Sequence, residues 1–271
     1  MEKCPCCYNQ CENLVFKDNF MGLPLLKCNS CQHIKVSDAI TSSEILKYYE
    51  SQYSDERGSF FSNSYVQLMK KRAISQFEYI SNFISLSNLS SVCDIGTGYG
   101  FLLSYFKSQG YENIYGLEFD DKCISYCQTQ HLDVRKIFSE DDFTNLEKSN
   151  IIVMSHALEH FIDLNKTLNI MKDKCDYLFV EVPFYCEGIV QQWNDQEGHI
   201  NFFNEKSLKL LFNNKNFNVL DVSRHGPNLN YYYNGWGISK YLRRKISGDW
   251  FFNKYNKNES GMWIRALLKT N

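Results

Sequence analysis

The run Val92-Cys93-Asp94-Ile95-Gly96-Thr97-Gly98-Tyr99-Gly100-Phe101 constrains this chain more than any other ten residues. Apolar residues enter it, three alternate glycines fill its middle, and a helical apolar pattern at Leu102, Leu103 and Phe106 leaves it. That order predicts a strand, a tight turn and a helix start. Glycines tolerate positive φ and let a ligand approach the backbone closely. The D-x-G-x-G-x-G spacing differs from the G-x-G-x-x-G dinucleotide fingerprint, which cradles a pyrophosphate. A second carboxylate, Glu118, closes the next apolar run, Ile114-Tyr115-Gly116-Leu117. A carboxylate at the end of a second strand can accept both hydroxyl hydrogens of a ribose.

From residue 91 onward, strand and helix patterns alternate. Strands are predicted over 91–95, 113–118, 133–137, 150–154, 177–182 and 217–223, with helical stretches between them. Such alternation predicts an α/β fold with a doubly wound, mostly parallel sheet. Ligands of these sheets bind at the carboxyl ends of the strands, where Gly96, Glu118, Ser155 and Pro183 fall. A last strand is predicted from Met262 to Lys269, after an aromatic and basic insertion at about 227–260. Upstream, residues 40–90 read as helical. Ser42-Ser43-Glu44 starts one segment, and Tyr65, Val66, Leu68, Met69, Ala73, Ile74, Phe77 and Ile80 follow a 3.6-residue period.

Cysteine spacing defines the N-terminus. Cys4 and Cys7 form one C-x-x-C pair and Cys28 and Cys31 a second, with twenty residues between them. Two such knuckles supply the four thiolates of a closed, structural zinc site. Strands at Leu14-Val15-Phe16 and Leu23 to Lys27 would join them as a ribbon. Cys6 and Cys11 are spare thiols, and His33 could replace one ligand. Eleven cysteines and an N-terminus unlike a signal peptide point to a reducing, cytoplasmic setting. A net charge of −2 argues against nucleic-acid binding, and no run is long and apolar enough for a membrane span.

The glycine segment with Glu118 resembles motif I of class I S-adenosylmethionine-dependent methyltransferases. That resemblance implies a Rossmann-like, seven-stranded sheet whose last strand is antiparallel. It also implies S-adenosylmethionine as cofactor. Asp94, Gly96, Thr97, Gly98 and Gly100 would surround its methionine end, and Glu118, Phe119 and Asp120 its ribose and adenine. Ser139, Glu140, Asp141 or Asp142 would stand near the adenine amino group, and Ser155 and His156 near the sulfonium.

After the fourth strand, Leu158-Glu159-His160-Phe161 resembles a branch of small-molecule methyltransferases. The Asn/Asp-Pro-Pro-aromatic motif of amino-methylating nucleic-acid enzymes and the nucleophilic cysteine of cytosine-5 enzymes are both missing. Glu159 and His160 read as supporting or packing groups. His199-Ile200-Asn201-Phe202-Phe203 resembles the H-x-x-[FY]-F segment of the same branch. In zinc-bearing sugar C-methyltransferases a Glu-His pair there supplies the base. Here Gly198 precedes His199 and the glutamate is Glu197, which disfavours C-methylation. Those enzymes also continue into a further large domain, so the reading prefers oxygen methylation.

The resemblance thus implies a cytoplasmic methyltransferase acting on a small molecule: a sugar, a sugar nucleotide or another bacterial surface (capsule) polysaccharide precursor. His199 is the candidate base, and a loop-shaping role is its alternative. Methylation of a phosphate-like oxygen, C-methylation of a keto-sugar, and a non-catalytic binding module stay open. The expected domains are a zinc ribbon at 1–38, a helical bridge and active-site cover at 39–90, and the cofactor domain at 91–271. Tyr48, Tyr49, Tyr53, Phe60 and Phe61 belong to the expected cover. The insertion, with Tyr231, Trp236, Arg243, Arg244 and Trp250, is a lid, a dimer contact or a membrane-surface foot.

Overall fold

The computed structural model describes residues 2–14, 23–38, 40–41, 63–85, 87, 89–187, 198–228, 259 and 261–270. Strands β1 (Cys11–Leu14), β2 (Leu25–Cys28) and β3 (Ile34–Val36) come first, then helix α1 (Asn63–Ser81). The alternating region is β4 (Val92–Ile95), α2 (Phe101–Ser108), β5 (Ile114–Glu118), α3 (Asp121–Thr129), β6 (Val134–Lys136), β7 (Ser149–Ser155), α4 (Leu164–Lys174) and β8 (Cys175–Pro183). The short strand β9 (Asn201–Phe202), α5 (Glu205–Asn214), β10 (Asn218–Asn228) and β11 (Gly261–Lys269) complete the order.

The large sheet has the order β10-β11-β8-β7-β4-β5-β6. Its five strands from β8 to β6 are parallel, and β11 runs antiparallel to both β8 and β10. From β4 the chain builds outward through β5 to β6, then returns to build β7 and β8 on the other side. The reversal places a crevice at the carboxyl ends of β4 and β7, the usual ligand position of such sheets.

Strand residues alternate between two helical layers, so β4 is buried along its whole length. Val92, Ile151, Val153, Phe179 and Leu267 pack with Ala73, Phe77 and Ile80 of α1 and with Leu102 and Phe106 of α2. On the opposite face, Cys93, Ile95, Ile152, Met154 and Val180 meet Leu164, Leu168 and Met171 of α4 and Leu208, Leu211 and Phe212 of α5. Side-chain caps fix three helix starts: Asp120 for α3, Asp163 for α4 and Asn204, in a capping box with Ser207, for α5.

A buried ionic cluster crosses the α1 face. Glu181 and Arg265 are register partners on β8 and β11, and both are fully enclosed. Arg265 Nε donates to Glu181 Oε2 at 2.6 Å, and its Nη1 donates to the carbonyl and hydroxyl of Ser75. Arg72 Nε and Gln76 Nε2 of α1 donate to Glu181 Oε1 at 2.7 and 2.9 Å. The carboxylate thereby joins α1 to two strands.

In the N-terminal hairpin β1 covers Cys11–Leu14, with Cys11 opposite Cys28 and Leu14 opposite Leu25. Backbone bonds of the first knuckle (Cys4 N–H to Asn9 O, Cys11 N–H to Glu2 O) lead into this strand. β3 has no counterpart among the strands expected from the sequence; it pairs with β9, which follows the last parallel strand β8, through Ile34↔Phe202 and Lys35↔Asn201. The ribbon sheet is therefore completed by the same segment that carries His199. Of the helical reading over 40–90, α1 is described. Ser42, Ser43, Glu44, the five expected cover aromatics, Val15, Phe16 and residues 229–258 lie outside the described residues.

Removing one partner of a buried ion pair leaves an uncompensated charge. Arg265→Leu is therefore expected to cost about 3 kcal/mol of stability in urea unfolding; a loss below about 1 kcal/mol would show that Arg72 alone suffices to hold Glu181.

Candidate active site

Behind β4 the chain passes Gly96, Gly98 and Gly100, all at positive φ. Gly100 has no room for a side chain, because a Cβ would lie 2.6 Å from Leu132 Cδ1 and 3.0 Å from Cys127 Sγ. Gly98 is the opposite case: a Cβ there meets nothing within 4 Å, so its backbone borders open space. At Gly96 a Cβ would come 3.1 Å from Ala157 Cβ. The segment after β7 therefore lies directly against the glycine turn.

Glu118, at the carboxyl end of β5, is held by backbone amides. The Gly98 N–H donates to Oε2 at 2.6 Å, and the N–H groups of Phe119 and Asp120 donate to Oε1 at 2.7 and 3.1 Å. Asp94 is buried and accepts from Thr97 Oγ1 at 2.9 Å on Oδ2. Among the described residues its other oxygen, Oδ1, is enclosed and has no hydrogen-bond partner. Burial lifts the Asp94 pKa to about 7; the Thr97 hydrogen bond opposes the rise, Glu118 adds to it, and Arg72 offsets part of it. Asp120 spends its carboxylate on the N–H groups of Lys122 and Cys123, and Ser139 caps the 3₁₀ turn Glu140–Asn145.

On the far side of Ala157 four ionisable side chains meet. His156, at φ 55, has Nδ1 3.5 Å from Glu159 Oε1 and Nε2 3.8 Å from Glu181 Oε1. Glu159 and His160 lie in the 3₁₀ turn Leu158–His160. His199 Nε2 stands 3.8 Å from the same Glu159 Oε1, and Tyr185 Oη is 2.7 Å from His199 Nδ1. His160 Nδ1 donates to the Gly198 carbonyl at 3.1 Å. Gly198 has φ 72, a conformation that disfavours the glutamate of the sugar C-methyltransferase pattern. Burial, followed by the nearby His160 and His156, holds the His199 pKa well below its ordinary value, so its imidazole is neutral at pH 7. Ser155 Oγ accepts from Arg72 Nη2 and Gln76 Nε2 at 2.8 and 2.7 Å.

Sequence reasoning singled out His156, His199 and Ser155 here but missed Arg72, Gln76, Glu181, Arg265 and Tyr185. A signal existed: Glu181 and Arg265 each interrupt an apolar strand (Phe179-Val180-Glu181-Val182 and Trp263-Ile264-Arg265-Ala266). Charges in such positions require a partner. Glu181 has several: burial opposes its ionisation, yet Arg72, Arg265 and His156 bring its pKa well below the usual carboxylate range.

The second cluster is in the ribbon. The sulfur atoms of Cys4, Cys7, Cys28 and Cys31 all lie within 4.8 Å of one another, with Cys4–Cys31 at 3.5 Å and Cys7–Cys28 at 3.4 Å. His33 is fully buried and stacks on Phe203, 4.9 Å between ring centroids, outside this group of four.

A family described as "Methyltransferase domain" matches residues 64–222, more than half of the chain. The chain belongs to this family. A search of curated proteins finds no match for the methyltransferase. Among solved structures, it is similar to a SAM-dependent methyltransferase from Archaeoglobus fulgidus, at 18% identity and TM-score 0.57, with 81% of this chain and 100% of that one covered. It is also similar to the magnesium protoporphyrin IX methyltransferase of Synechocystis with bound SAH, at 12% identity and TM-score 0.55 over 85% and 100% of the two chains. A possible histamine N-methyltransferase from Thermotoga maritima gives 12% and 0.56 over 84% and 100%. These likenesses agree with the topology: the methyltransferase has the Rossmann-like class I fold, with a cysteine cluster near its N-terminus.

The raised pKa of Asp94 has a definite sign in the stability. Its folded-state value of about 7 exceeds the roughly 3.9 of an unfolded Asp, so the folded state binds the extra proton between those limits. Its stabilising contribution is present at low pH and lost as pH rises toward 7. Urea midpoints measured from pH 4.5 to 7.5 are expected to fall in the wild type relative to Asp94→Asn; parallel profiles would contradict the assignment.

Proposed function

We propose that this methyltransferase uses S-adenosylmethionine to methylate an oxygen of a sugar, a sugar nucleotide or another bacterial surface-polysaccharide precursor. The observation that carries the cofactor half is the Glu118 carboxylate, latched to the Gly98 N–H across the turn whose backbone borders open space. The residues fit this cofactor in charge as well. Among the described residues Asp94 Oδ1 is buried with no hydrogen-bond partner, and a ligand bearing a sulfonium and an ammonium group favours the ionised form.

When bound, S-adenosylmethionine supplies a methyl already activated for transfer, so the protein has to align the acceptor and accommodate its proton. Glu118, held in place by its three amide donors, accepts from the ribose hydroxyls. The acceptor end is the imidazole and carboxylate group beside Ala157, which rests on Gly96. Sequence reasoning gives the proton to His199, but that imidazole is almost wholly enclosed, whereas the His156 side chain is 28% exposed. We assign proton acceptance to His156, whose cationic form Glu159 and Glu181 stabilise, and give His199 the task of fixing Glu159 from the other side. An alcohol acceptor needs such a base, which favours oxygen that is protonated beforehand. The sugar class rests on the resemblance of the His199 to Phe203 segment and of the paired knuckles to sugar methyltransferases, whereas Leu158-Glu159-His160-Phe161 resembles the broader small-molecule branch. Ser139, Phe119 and Asp120 are the proposed adenine and ribose neighbours, and Thr97 and Ser155 support the turn.

The four ribbon thiols suit zinc: four soft donors with short mutual distances fill a tetrahedral sphere and leave no position for catalysis. Bound there, zinc would fix both knuckles and, through β3, the strand that follows His199. We infer a cytoplasmic location from the reduced thiols this site requires.

Titration calorimetry should find S-adenosylmethionine binding in the micromolar range, weakened at least tenfold, about 1.4 kcal/mol, in Glu118→Ala. Radiolabelled methyl transfer should then follow with members of a sugar-nucleotide panel. Unchanged affinity in the variant would refute the ribose assignment, and binding without transfer to any sugar would refute the substrate class. Elemental analysis should find one zinc per chain, lost in Cys28→Ser together with thermal stability; a folded protein without stoichiometric zinc would remove the metal from the ribbon.

A further inference from the structure

We propose that Glu159, His160 and His199 form a second metal site, a two-histidine, one-carboxylate set for a divalent first-row cation that takes the acceptor oxygen on its open side. One ligand atom from each residue lies within 4.8 Å of the others, and the two glutamate and histidine members at 159 and 199 are buried. Two imidazoles and one carboxylate are the donor set that divalent first-row metals share.

The orientation of the rings is what distinguishes this group from a chance cluster. A metal-bound histidine uses one ring nitrogen for the ion and the other for a hydrogen bond that fixes its tautomer. His160 Nδ1 faces the Gly198 carbonyl at 3.1 Å, and since a carbonyl only accepts, the proton sits on Nδ1 and Nε2 is the basic nitrogen of the ring. His199 Nδ1 lies 2.7 Å from Tyr185 Oη. In the tautomer whose Nδ1–H donates to that oxygen, Nε2 presents its lone pair toward Glu159. Both rings thus have an oxygen behind them, and they face each other at 4.7 Å between centroids.

Two hydrogen bonds hold the contributing segments together. Ile200 N–H donates to the Glu159 carbonyl at 3.0 Å, and Asn201 Nδ2 donates to the Phe161 carbonyl at 2.7 Å. Donor atoms around one ion sit about 3–3.5 Å apart at metal–nitrogen distances near 2.1 Å. The observed separation of 3.8 Å between His199 Nε2 and Glu159 Oε1 needs only a small side-chain rotation to reach that. Three protein ligands leave positions open, as in catalytic metal sites. A cation held by these three residues would supply Lewis acidity toward an acceptor hydroxyl, and His156, on the other side of Glu159, would take the proton released. The acceptor half of the proposal rests on the methyl-transfer reading; the metal half stands without it.

The test uses the whole chain with zinc already in the ribbon, titrated with Mn²⁺. One Mn²⁺ per chain is expected beyond the zinc, and pulsed electron paramagnetic resonance should detect two imidazole nitrogens on it. His160→Gln and His199→Gln should each weaken Mn²⁺ uptake at least tenfold while leaving calorimetric S-adenosylmethionine affinity within twofold. No Mn²⁺ uptake, bound Mn²⁺ without nitrogen coupling, or undiminished uptake in both folded variants would each overturn the site. Should a variant fail to fold, the wild-type nitrogen coupling decides alone. Loss of S-adenosylmethionine binding in the wild type would overturn the methyl-transfer reading and leave the Mn²⁺ result standing.

Discussion

The fully enclosed carboxylate of Glu181 ties the architecture to the site. It accepts from Arg265 across the β8–β11 pair and from Arg72 and Gln76 of α1, so three elements distant in sequence share one acidic group. An isolated buried carboxylate would be strongly disfavoured, and the two guanidinium groups are what allow it to stay ionised. The same group reaches the proposed base. His156 Nε2 is 3.8 Å from Glu181 Oε1, and the Ser155 hydroxyl takes hydrogen bonds from the arginine and glutamine that also bind the carboxylate. Packing of α1 on the sheet and the electrostatic setting of His156 therefore cannot vary independently.

The cofactor crevice follows from the sheet's winding order, but its detail comes from single atoms. Gly96 is small because Ala157 presses on it, and Gly100 because Leu132 and Cys127 do. Glu118 is held by amides of the turn and of its own strand end, so its direction is set before any ligand arrives. Preorganisation of this kind lowers the ordering cost of binding.

Much of this was readable in the sequence because the signals were local. All seven strands of the large sheet overlap the runs expected from the sequence, and the five parallel ones were clearest because a strand buried on both faces is mostly apolar. The glycine turn and Glu118 were equally visible. Contacts that join distant segments were not. No periodicity in Ile34-Lys35-Val36 announces that it pairs with Asn201 and Phe202, because a strand of two or three residues carries no pattern. Glu159 and His160 read from the sequence as supporting or packing groups of the following helix, whereas they lie in a 3₁₀ turn; their proximity to His199 depends on hydrogen bonds between residues about forty positions apart. Glu181 and Arg265 were the avoidable omission, since a lone charge in an apolar strand announces a partner somewhere.

The cysteine cluster then bears on the proposed acceptor end of the site. β9 joins the ribbon sheet directly after His199 and Ile200, and the Val36 N–H also donates to the Ile200 carbonyl. Behind β9, Asn204 Nδ2 donates to the Cys31 carbonyl, Lys206 Nζ to that of Ser30, and Asn214 Nδ2 to that of Cys6. The segment from Gly198 to Phe203 is consequently bounded on one side by the knuckles and on the other by the 3₁₀ turn carrying Glu159. A strand of two residues gains little from its own ladder, so its position depends on what stands on either side. Disorder in the ribbon would release the His199 side of the cluster while leaving Asp94, Glu118 and the glycine turn supported by the large sheet. The ribbon thus governs the proposed acceptor end of the site, and the large sheet governs the proposed cofactor end.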